Sequence, residues 1–305
     1  MNVCLVCLEP LRADSYHPKC VRGLFGTSYA PSIDVELAKL HTVAMAMIGH
    51  TSLSGVQRKI SLRLETESRT LRVATDGGRF ILKPQAQTFP HLPENEHVTM
   101  RMAARAGIAI PPCGLLALKD GSLAYIARRF DRTDAGKKLL QEDFCQLAEK
   151  SPKEKYDGSA ELCARIVQRF ASAPGVDAAK LFRLMVFTWW TGNGDMHLKN
   201  FSLLCEEDGN YRLSPAYDLL CTRLILPDDL LALSVDGNKK NVTRKQWMTY
   251  AAYCQLPPRA AERVLREIAE ATEDCTAMIE RSALPEEMKE DYAALLRKRA
   301  FHLSD

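Results

Sequence analysis

The spacing of apolar residues changes near the middle of the chain, and this change limits the fold to a small set of architectures. Residues 58–128 show the order strand, strand, strand, helix, strand, strand, with short apolar runs separated by turn residues. Beyond the loop at residues 131–134 the apolar spacing is mainly that of helices. The pattern therefore predicts an α+β protein with a β-rich lobe followed by a mainly helical lobe. By itself it leaves several α+β architectures open.

This change of pattern also sets the predicted elements and domains. In the β-rich part we expect one helix at residues 93–106 and strands at residues 59–64, 70–74, 79–83, 115–119 and 122–127. In the second part we expect a strand pair at residues 201–205 and 211–213 and helices at residues 141–149, 159–173, 178–191, 244–253, 258–278 and 285–301. The predicted domains are an N-terminal cap over residues 1–50, the β-rich lobe over 51–130 and the helical lobe over 131–305.

Composition and charge exclude several classes of protein. The 305 residues are 46% hydrophobic and 26% charged, which is typical of a globular chain and excludes a disordered or fibrous one. The 41 basic and 38 acidic residues nearly cancel, so we expect no direct binding to nucleic acid. No apolar run approaches the roughly 20 residues that span a bilayer, and the start of the chain lacks the pattern of a secretory signal. We therefore expect a cytoplasmic protein without membrane contact.

The ten cysteines fall into two groups. Seven are scattered among apolar residues, where reduced thiols usually fill the core of a cytosolic protein. The other three, Cys4, Cys7 and Cys20, lie close to His17, and their spacing could supply four tetrahedral zinc ligands from two short knuckles. The alternative is a small cap with buried thiols and a surface histidine. In either case the cluster is expected to be structural.

A polar segment at residues 192–200 carries the clearest chemical signal. It follows a helix too apolar to be exposed and precedes a predicted strand. Asp195 and Asn200 are separated by the Asp-x4-Asn spacing that protein kinases use. Asp195 could accept the proton of an attacking hydroxyl while Asn200 coordinates Mg2+. The alternative is an ordinary turn after a helix, because glycine, asparagine and aspartate are common turn residues.

Asp218 lies eighteen residues beyond Asn200, just after the predicted strand pair. A second Mg2+-binding aspartate occupies this place in protein kinases, although no Phe-Gly follows Asp218 here. Without the segment around Asp195, a capping or surface role would be the better interpretation.

The β-rich part contains residues suited to binding phosphate groups. Lys83 ends an apolar strand, where its amine could reach nucleotide phosphates, and Glu96 on the following helix could pair with it. The loop at residues 51–59 contains Gly55 and several hydroxyl residues, so its backbone N–H groups could approach phosphates. Each signal has an ordinary alternative: a solvated lysine, an exposed helix acid and a serine-rich turn.

Taken together, these segments resemble the HipA-type serine/threonine kinases of bacterial toxin–antitoxin systems. The resemblance covers roughly residues 50–240 and follows the family's order, most specifically in Asp-x-His-x-Lys-Asn-Phe-Ser at residues 195–202. The other matching segments are residues 52–59, 81–84, 93–96, 129–132, 141–143 and 216–218.

The resemblance implies a bilobal protein-kinase-like fold with Asp195 as the catalytic base and with Asn200 and Asp218 as Mg2+ ligands. It places Arg128 to Phe130 at a hinge beside adenine, and His197 and Tyr217 near the nucleotide. The residues expected to bind ATP are Ser54, Gly55, Val56, Gln57, Arg58, Lys59, Lys83, Arg128, Arg129, Phe130, His197, Lys199 and Tyr217.

The resemblance also implies a biological role and partners. The expected activity is that of an ATP- and Mg2+-dependent toxin kinase that phosphorylates an aminoacyl-tRNA synthetase and autophosphorylates at Ser52 or Ser54. About fifty residues precede the serine-rich loop, as in short family members whose missing N-terminal subdomain is a separate small protein. Such a protein and a cognate antitoxin are the expected partners. The alternatives are a small-molecule kinase of related fold and a catalytically dead binding module.

Overall fold

The computed structural model describes residues 3–12, 14–40, 59–133 and 135–304. The chain divides into two compact units. The first comprises residues 1–101, 111–137 and 281–284, and the second comprises residues 102–110, 138–280 and 285–305. The first unit is rich in strands and the second is mainly helical, which confirms the predicted α+β class.

The first unit is built on a five-stranded antiparallel sheet in the order β2-β1-β3-β5-β4. Its strands are β1 (Ile60–Glu65), β2 (Thr70–Val73), β3 (Phe80–Lys83), β4 (Cys113–Ala117) and β5 (Leu123–Arg128). Burial alternates along the first residues of β1, whereas β4 and β5 contain runs of buried residues. Leu62, Leu82 and Ile126 lie in one apolar core. A helix that the sequence did not predict, α1 (Pro18–Phe25), contributes Leu24 to this core.

The next helix within the described residues, α2 (Leu92–Arg105), follows β3 in the chain. Glu94 lies in its first turn, where a carboxylate is favourable beside the helix dipole. The chain leaves the helix at Gly107, whose φ of 76° belongs to the left-handed region that glycine adopts without strain. Residues 92–100, which include Glu96, are all buried.

Seven α-helices that lie wholly in the second unit, and a small sheet, are described there. The helices are α3 (Phe144–Leu147), α4 (Ala160–Phe170), α5 (Pro174–Thr191), α6 (Arg244–Tyr253), α7 (Pro258–Glu270), α8 (Thr272–Glu280) and α9 (Glu286–Ser304). The sheet is antiparallel in the order β6-β7-β8, with strands β6 (Gln141–Asp143), β7 (Ser202–Cys205) and β8 (Tyr211–Leu213). In the described part of the chain, no helix has the length and apolar content needed to cross a membrane.

Helix α5 is the central helix of the second unit. Most of its side chains are buried, and Trp190 donates a 3.1 Å hydrogen bond from Nε1 to the Leu296 carbonyl of α9. The helix ends at Gly192, which adopts a left-handed φ of 74°. A buried helix of this kind gives the polar segment that follows it a fixed starting point.

The structure corrects two of the predicted helices. The expected helix at residues 141–149 begins as strand β6, because this segment pairs with β7 and Asp143 then caps α3 in a capping box with Gln146. The expected helix at residues 258–278 is two helices that meet at Ala271. Apolar spacing runs through both segments, so it could show neither the strand pairing nor the break.

Candidate active site

The Asn193 side chain forms hydrogen bonds with the backbone of two of the predicted site residues. Its side chain is 1% exposed; Oδ1 accepts a 3.0 Å hydrogen bond from the Asp195 amide, and Nδ2 donates over 3.4 Å to the Asp218 carbonyl. A buried amide side chain with both ends engaged restricts the conformations of the loops it joins. Asp195 and Asp218, which are 23 positions apart in the sequence, are therefore held in one cluster.

Asn200 belongs to the same cluster. It ends a single 3-10 turn, Leu198–Asn200, and its Nδ2 donates a 2.9 Å hydrogen bond to the Asp195 carbonyl. Because the amide nitrogen makes this bond, the side-chain oxygen is the atom suited to a hard cation. Carboxylate and amide oxygens are the usual protein ligands of Mg2+, so the chemistry of Asn200 and Asp218 fits that ion.

The Asp195 carboxylate has a partner that the sequence analysis missed. The Tyr156 hydroxyl donates a 2.5 Å hydrogen bond to Asp195 Oδ1, and the Asp195 side chain remains 50% exposed. The Tyr156 ring meets the His197 ring edge-on at a centroid distance of 5.1 Å. Partial burial, together with the negative charge of Asp195, raises the pKa of the Tyr156 hydroxyl. No spacing or motif in the sequence links Tyr156 to Asp195.

His197 lies beside the carboxylate, with Nε2 4.0 Å from Asp195 Oδ1. Burial lowers the pKa of His197, and the positive charge of Lys155 acts in the same direction. The negative charge of Asp195 opposes this shift. The imidazole is therefore neutral at neutral pH. Its buried Nδ1 has no hydrogen-bond partner within the described residues.

Asp218 adopts a backbone conformation that is uncommon for its residue type. Its φ is 57°, in the left-handed region, which aspartate tolerates better than most residues. Conformations of this kind cost on the order of 1 kcal/mol or more and persist where the surrounding structure fixes them. The neighbouring Tyr217 supplies part of that fixation, since its hydroxyl donates a 3.1 Å hydrogen bond to the Lys199 carbonyl and also contacts the Ser202 hydroxyl. Burial raises the pKa of Tyr217.

Lys199, predicted to bind ATP, is paired with an acidic residue in the structure. Its Nζ lies 2.6 Å from Asp143 Oδ2, and both side chains are largely buried. Asp143 is also the residue that caps α3. In this arrangement Lys199 links the polar segment to the small sheet.

Close packing, and not the backbone angles, makes glycine necessary at position 194. A Cβ at this position would lie 2.1 Å from Asp229 Oδ2 and 2.4 Å from the Leu230 carbonyl oxygen. The Gly194 amide donates a 2.7 Å hydrogen bond to Thr222 Oγ1, whose hydroxyl also contacts the Asp229 carboxylate. Thr222 and Asp229 were missed because they lie in a segment for which the sequence predicts no regular element.

In the first unit, Lys83 and Glu96 form the ion pair that the sequence predicted. The Lys83 amine at the end of β3 contacts Glu96 Oε1, and the two side chains are 7% and 3% exposed. The amine also lies 5.3 Å from the centre of the Tyr125 ring. Gln85 donates hydrogen bonds of 2.7 and 2.8 Å to the Glu94 carboxylate at the start of the same helix. The first turns of α2 are thus held at the end of β3.

The predicted hinge residues follow β5. The Arg128 amide donates a 2.8 Å hydrogen bond to the Pro112 carbonyl. The Arg129 guanidinium holds Asp131 with two hydrogen bonds of 2.8 and 2.7 Å, and Arg132 adds a third of 2.7 Å. Burial would raise the pKa of Asp131, but the two guanidinium groups outweigh it and lower that pKa. Phe130 is half-buried.

The loop predicted to cover the phosphates is only partly described. Lys59 is exposed just before β1. The predicted phosphate-contacting or autophosphorylated residues that lie outside the described residues are Ser52, Ser54, Gly55, Val56, Gln57 and Arg58.

The structure brings together the four residues of the N-terminal cluster. One ligand atom from each of Cys4, Cys7, His17 and Cys20 lies within 4.8 Å of the other three. The Cys7 sulfur is 3.3 Å from His17 Nδ1, and the cysteines are not joined by disulfides.

Comparison with solved structures identifies the class to which this fold belongs. The solved structures it resembles include a chain of the Shewanella oneidensis complex of the toxin HipA, HipB and operator DNA, with a TM-score of 0.69 and 19% identity over 87% of this chain and 70% of that one. The Helicobacter pylori proinflammatory kinase CtkA matches with a TM-score of 0.53 and 16% identity over 81% of this chain and 95% of its own. The fold is therefore kinase-like.

The chain belongs to the HipA-like C-terminal domain family, which matches residues 51–276. Two Sinorhizobium fredii relatives are named "Putative kinase Y4mE", 30% identical over 240 residues, and "Putative kinase Y4dM", 34% identical over 237 residues. These alignments cover 75% and 72% of this chain but only 56% and 57% of the relatives. A Haemophilus influenzae "Putative kinase" is 27% identical over 236 residues, which cover 72% of this chain and 68% of that protein. The chain thus spans a little over half the length of the two Sinorhizobium fredii relatives.

Proposed function

We propose that this chain is an ATP- and Mg2+-dependent protein serine/threonine kinase and the toxin of a bacterial toxin–antitoxin system. Membership of a family whose relatives are named kinases supports phosphoryl transfer as the reaction. The observation that carries the proposal is the hydrogen-bonded cluster in which Asn193 contacts the backbones of Asp195 and Asp218 and Asn200 contacts that of Asp195. Phosphoryl transfer needs little covalent chemistry from the protein, so catalysis depends on holding such groups in place.

Asp195 is the proposed base. Its half-exposed carboxylate can accept a proton from the hydroxyl of a substrate side chain. As that proton moves to Asp195, the hydroxyl oxygen bonds to the γ-phosphorus of ATP and the bond to the bridging oxygen of ADP breaks. The products are a phosphorylated side chain and ADP. His197, neutral and buried beside the carboxylate, would orient Asp195 or a phosphate oxygen rather than carry charge.

Asn200 and Asp218 would hold Mg2+, which would neutralise charge on the phosphate oxygens when bound. Lys83 would supply a further positive charge to the phosphates. Its pairing with Glu96 fixes the amine at the end of β3. The same chain residues suit a small-molecule kinase, so the class of acceptor needs an experiment.

The proposed protein substrate is an aminoacyl-tRNA synthetase, and the proposed partners are a cognate antitoxin and a separate small protein that replaces the family's N-terminal subdomain. One observation supports the antitoxin as a partner: the structural neighbour from Shewanella oneidensis is in complex with HipB and operator DNA. The substrate class and the small partner protein follow from the family resemblance.

We propose that Ser52 or Ser54 is autophosphorylated and that this modification switches the kinase off. A phosphoserine carries about −1.5 to −2 charges at neutral pH. Beside the triphosphate it would repel the nucleotide, so modification should lower ATP affinity without changing the cluster around Asp195. Phosphate mapping after incubation with Mg-ATP tests this, and replacement of both serines with alanine should abolish the modification.

The proposed activity is tested by incubating the purified chain with γ-labelled ATP and a bacterial lysate. Label should appear in protein, and Asp195→Asn should reduce its transfer by about a thousandfold or more, since the amide cannot accept the proton. Asp208→Asn, in an exposed turn of the same unit, is the matched control and should retain full activity. Label only in lipid or aminoglycoside would replace the proposal with a small-molecule kinase, and no label with no Mg-ATP binding would indicate a binding module.

The metal assignment is tested separately through nucleotide binding. Asp218→Ala should weaken ATP affinity when Mg2+ is limiting, because it removes a carboxylate ligand. Affinity unchanged across the Mg2+ titration would exclude Asp218 as a ligand.

A further inference from the structure

A tight turn and the start of α1 hold the ligand atoms of the N-terminal cluster in place. Cys4 and Cys7 lie on a tight turn closed by a 3.0 Å hydrogen bond from the Leu8 amide to the Cys4 carbonyl, with Leu8 at a left-handed φ of 62°. His17 and Cys20 lie at the start of α1, where the Cys20 amide donates to the His17 carbonyl over 2.9 Å. The hydrogen bonds of each turn fix the spacing of its ligand pair. We call residues 3–12 and 14–20 together the knuckle.

The distances within the cluster suit a tetrahedral metal ion. Zinc binds thiolate sulfur at about 2.3 Å and imidazole nitrogen at about 2.0–2.1 Å, which places ligand atoms about 3.5–3.8 Å apart. The Cys7 sulfur lies 3.3 Å from His17 Nδ1, and all four ligand atoms lie within 4.8 Å of one another. Among residues 3–12, 14–40, 59–133 and 135–304, no other group of three or more histidine, cysteine or acidic residues is gathered in this way.

We propose that Cys4, Cys7, His17 and Cys20 bind one Zn2+ ion in a structural site. Three thiolates and one imidazole complete a tetrahedron, so no position is left for water or a substrate, as is typical of structural zinc and not of catalytic zinc. Cys4 and Cys20 are buried, which protects the thiolates from solvent and oxidants. This site is independent of the proposed phosphoryl transfer.

The knuckle covers the β4 edge of the five-stranded sheet. The Leu115 amide of β4 donates a 2.7 Å hydrogen bond to the Leu5 carbonyl, and the Tyr16 hydroxyl donates over 2.9 Å to the Leu115 carbonyl. The approach is close at Gly114, where a Cβ would lie 2.8 Å from the Val6 side chain. Since β4 is an outer strand of this sheet, the knuckle satisfies backbone groups that would otherwise face solvent.

The knuckle also fixes the helix that carries Glu96. His97, the next residue, makes a 3.0 Å hydrogen bond from Nε2 to the Val6 carbonyl, which lies between two of the ligands in sequence. Arg281 donates over 2.8 Å from Nε to the Leu8 carbonyl on the same turn. A metal ion that holds this turn therefore stabilises α2 and β4 together, because both bond to its backbone.

The first experiment measures metal in the unmodified protein. The freshly purified full chain should contain about one zinc per chain. After removal of zinc from the reduced protein, addition of Co2+ should produce the intense thiolate-to-cobalt and ligand-field absorption of a tetrahedral site with three sulfur ligands. A protein without zinc that also gives no such absorption with Co2+ would overturn the proposal and leave a set of buried thiols.

The second experiment uses matched variants and reads zinc content and thermal stability. Cys7→Ser should lower zinc to well under about half an ion per chain and lower Tm, because binding free energy is folding free energy in such sites. Cys205→Ser is the control, since Cys205 is also half-buried but lies outside the cluster. It should retain one zinc and a normal Tm.

A third variant keeps the proposal testable if Cys7→Ser does not fold. His17→Cys preserves four ligands and should retain zinc, and its Co2+ spectrum should change to that of four sulfur ligands. If His17→Cys retained zinc but its Co2+ spectrum were unchanged, His17 would not be a ligand. Equal zinc content in Cys7→Ser and the wild-type chain would likewise contradict the four-residue site.

Discussion

The hydroxyl of Tyr156 donates a 2.5 Å hydrogen bond to Oδ1 of Asp195, so one oxygen of the proposed base is already engaged. Tyr156 belongs to a loop that bonds to the same polar segment through its backbone, since the Lys155 carbonyl accepts a 3.0 Å hydrogen bond from the Leu198 amide. A substrate hydroxyl must approach the same carboxylate to transfer its proton. Tyr156 and the substrate therefore compete for Asp195 in the proposed reaction.

This competition predicts the behaviour of Tyr156→Phe. The change removes the hydroxyl and keeps the ring against His197, so the proposed base is released without loss of packing. A partly exposed hydrogen bond contributes about 0.5–1.5 kcal/mol, and kcat/KM for protein phosphorylation should therefore rise by about two- to tenfold. Tyr253→Phe, at an exposed tyrosine of the same unit, should have no effect. A fall in kcat with KM unchanged would instead make Tyr156 a residue that aligns Asp195.

Gly194→Ala should damage the site through packing alone. Its new methyl group would meet Asp229 and the backbone of Leu230, and such overpacking typically costs about 1–3 kcal/mol. We expect a lower Tm and a phosphoryl-transfer rate reduced at least tenfold, measured by thermal melting and labelled ATP. Gly175→Ala is the matched control, because a Cβ there meets no atom within 4 Å and alanine favours the helix. Wild-type behaviour of Gly194→Ala would mean that the loop around Asp229 can move away freely.

Variants of the buried pair Lys83 and Glu96 should show that its effect on stability is distinct from its effect on nucleotide binding. Glu96→Gln removes the carboxylate from a buried ammonium and should lower the free energy of unfolding by about 3 kcal/mol or more. The double variant Lys83→Met with Glu96→Leu should regain most of that stability, as apolar replacements of buried pairs often do. It should still fail to bind ATP, because the proposed phosphate contact is gone.

An exposed ion pair provides the comparison for that experiment. Glu65→Gln breaks the solvent-exposed pair with Arg63 and should cost less than about 1 kcal/mol. Chemical denaturation gives the stabilities and a nucleotide titration gives the affinities. Normal ATP binding by the double variant would remove Lys83 from the proposed site.

His97 should make the protein sensitive to acid. Its pKa is lowered from 6.5 to about 4, mainly by burial and also by the nearby charge of Arg101. The hydrogen bond with the Val6 carbonyl opposes this shift. Between these values the unfolded chain takes up a proton that the folded chain does not, so stability falls as the pH falls from 6.5 towards 4. At about pH 5 the loss due to this histidine should be roughly 2 kcal/mol relative to about pH 7.5.

A glutamine variant isolates this contribution. His97→Gln retains an amide N–H that can reach the Val6 carbonyl but cannot be protonated in this range. Denaturant unfolding at the two pH values should show a smaller acid loss for His97→Gln than for the wild-type chain. His302→Gln, at an exposed histidine, should behave like the wild type. Equal acid loss in all three proteins would show that His97 is not the group responsible.

The elements that were predicted correctly are those whose ends are set by local interactions. The helix at 244–253 and the strand at 211–213 were predicted at their observed bounds, because capping by Thr243 and turn residues mark their ends directly. The pairing of Lys83 with Glu96 was predicted because protein kinases pair a strand lysine with a helix glutamate. Segment 141–143, by contrast, is a strand only because β7 lies beside it, and no local pattern records that neighbour.

The parts of the site that sequence analysis missed share one physical property. Tyr156 bonds to Asp195, and Asp229 occupies the space that a side chain at position 194 would need; both belong to segments without regular structure. Residues of this kind have no periodicity, and their types are common in surface loops. Only the tertiary fold shows that Tyr156 donates to the carboxylate and that Asp229 leaves no room for a side chain at 194.

The contact between the knuckle and β4 also has a consequence for the order of synthesis. The four cluster residues span fewer than twenty positions, so they can come together soon after they leave the ribosome, whereas Leu115 follows Tyr16 by 99 positions. Local closures of this kind are fast and low in entropic cost compared with distant strand pairings. β4 would thus leave the ribosome after the knuckle has formed and could dock on it at once. This would keep β4 from pairing with strands of other nascent chains on the same messenger RNA.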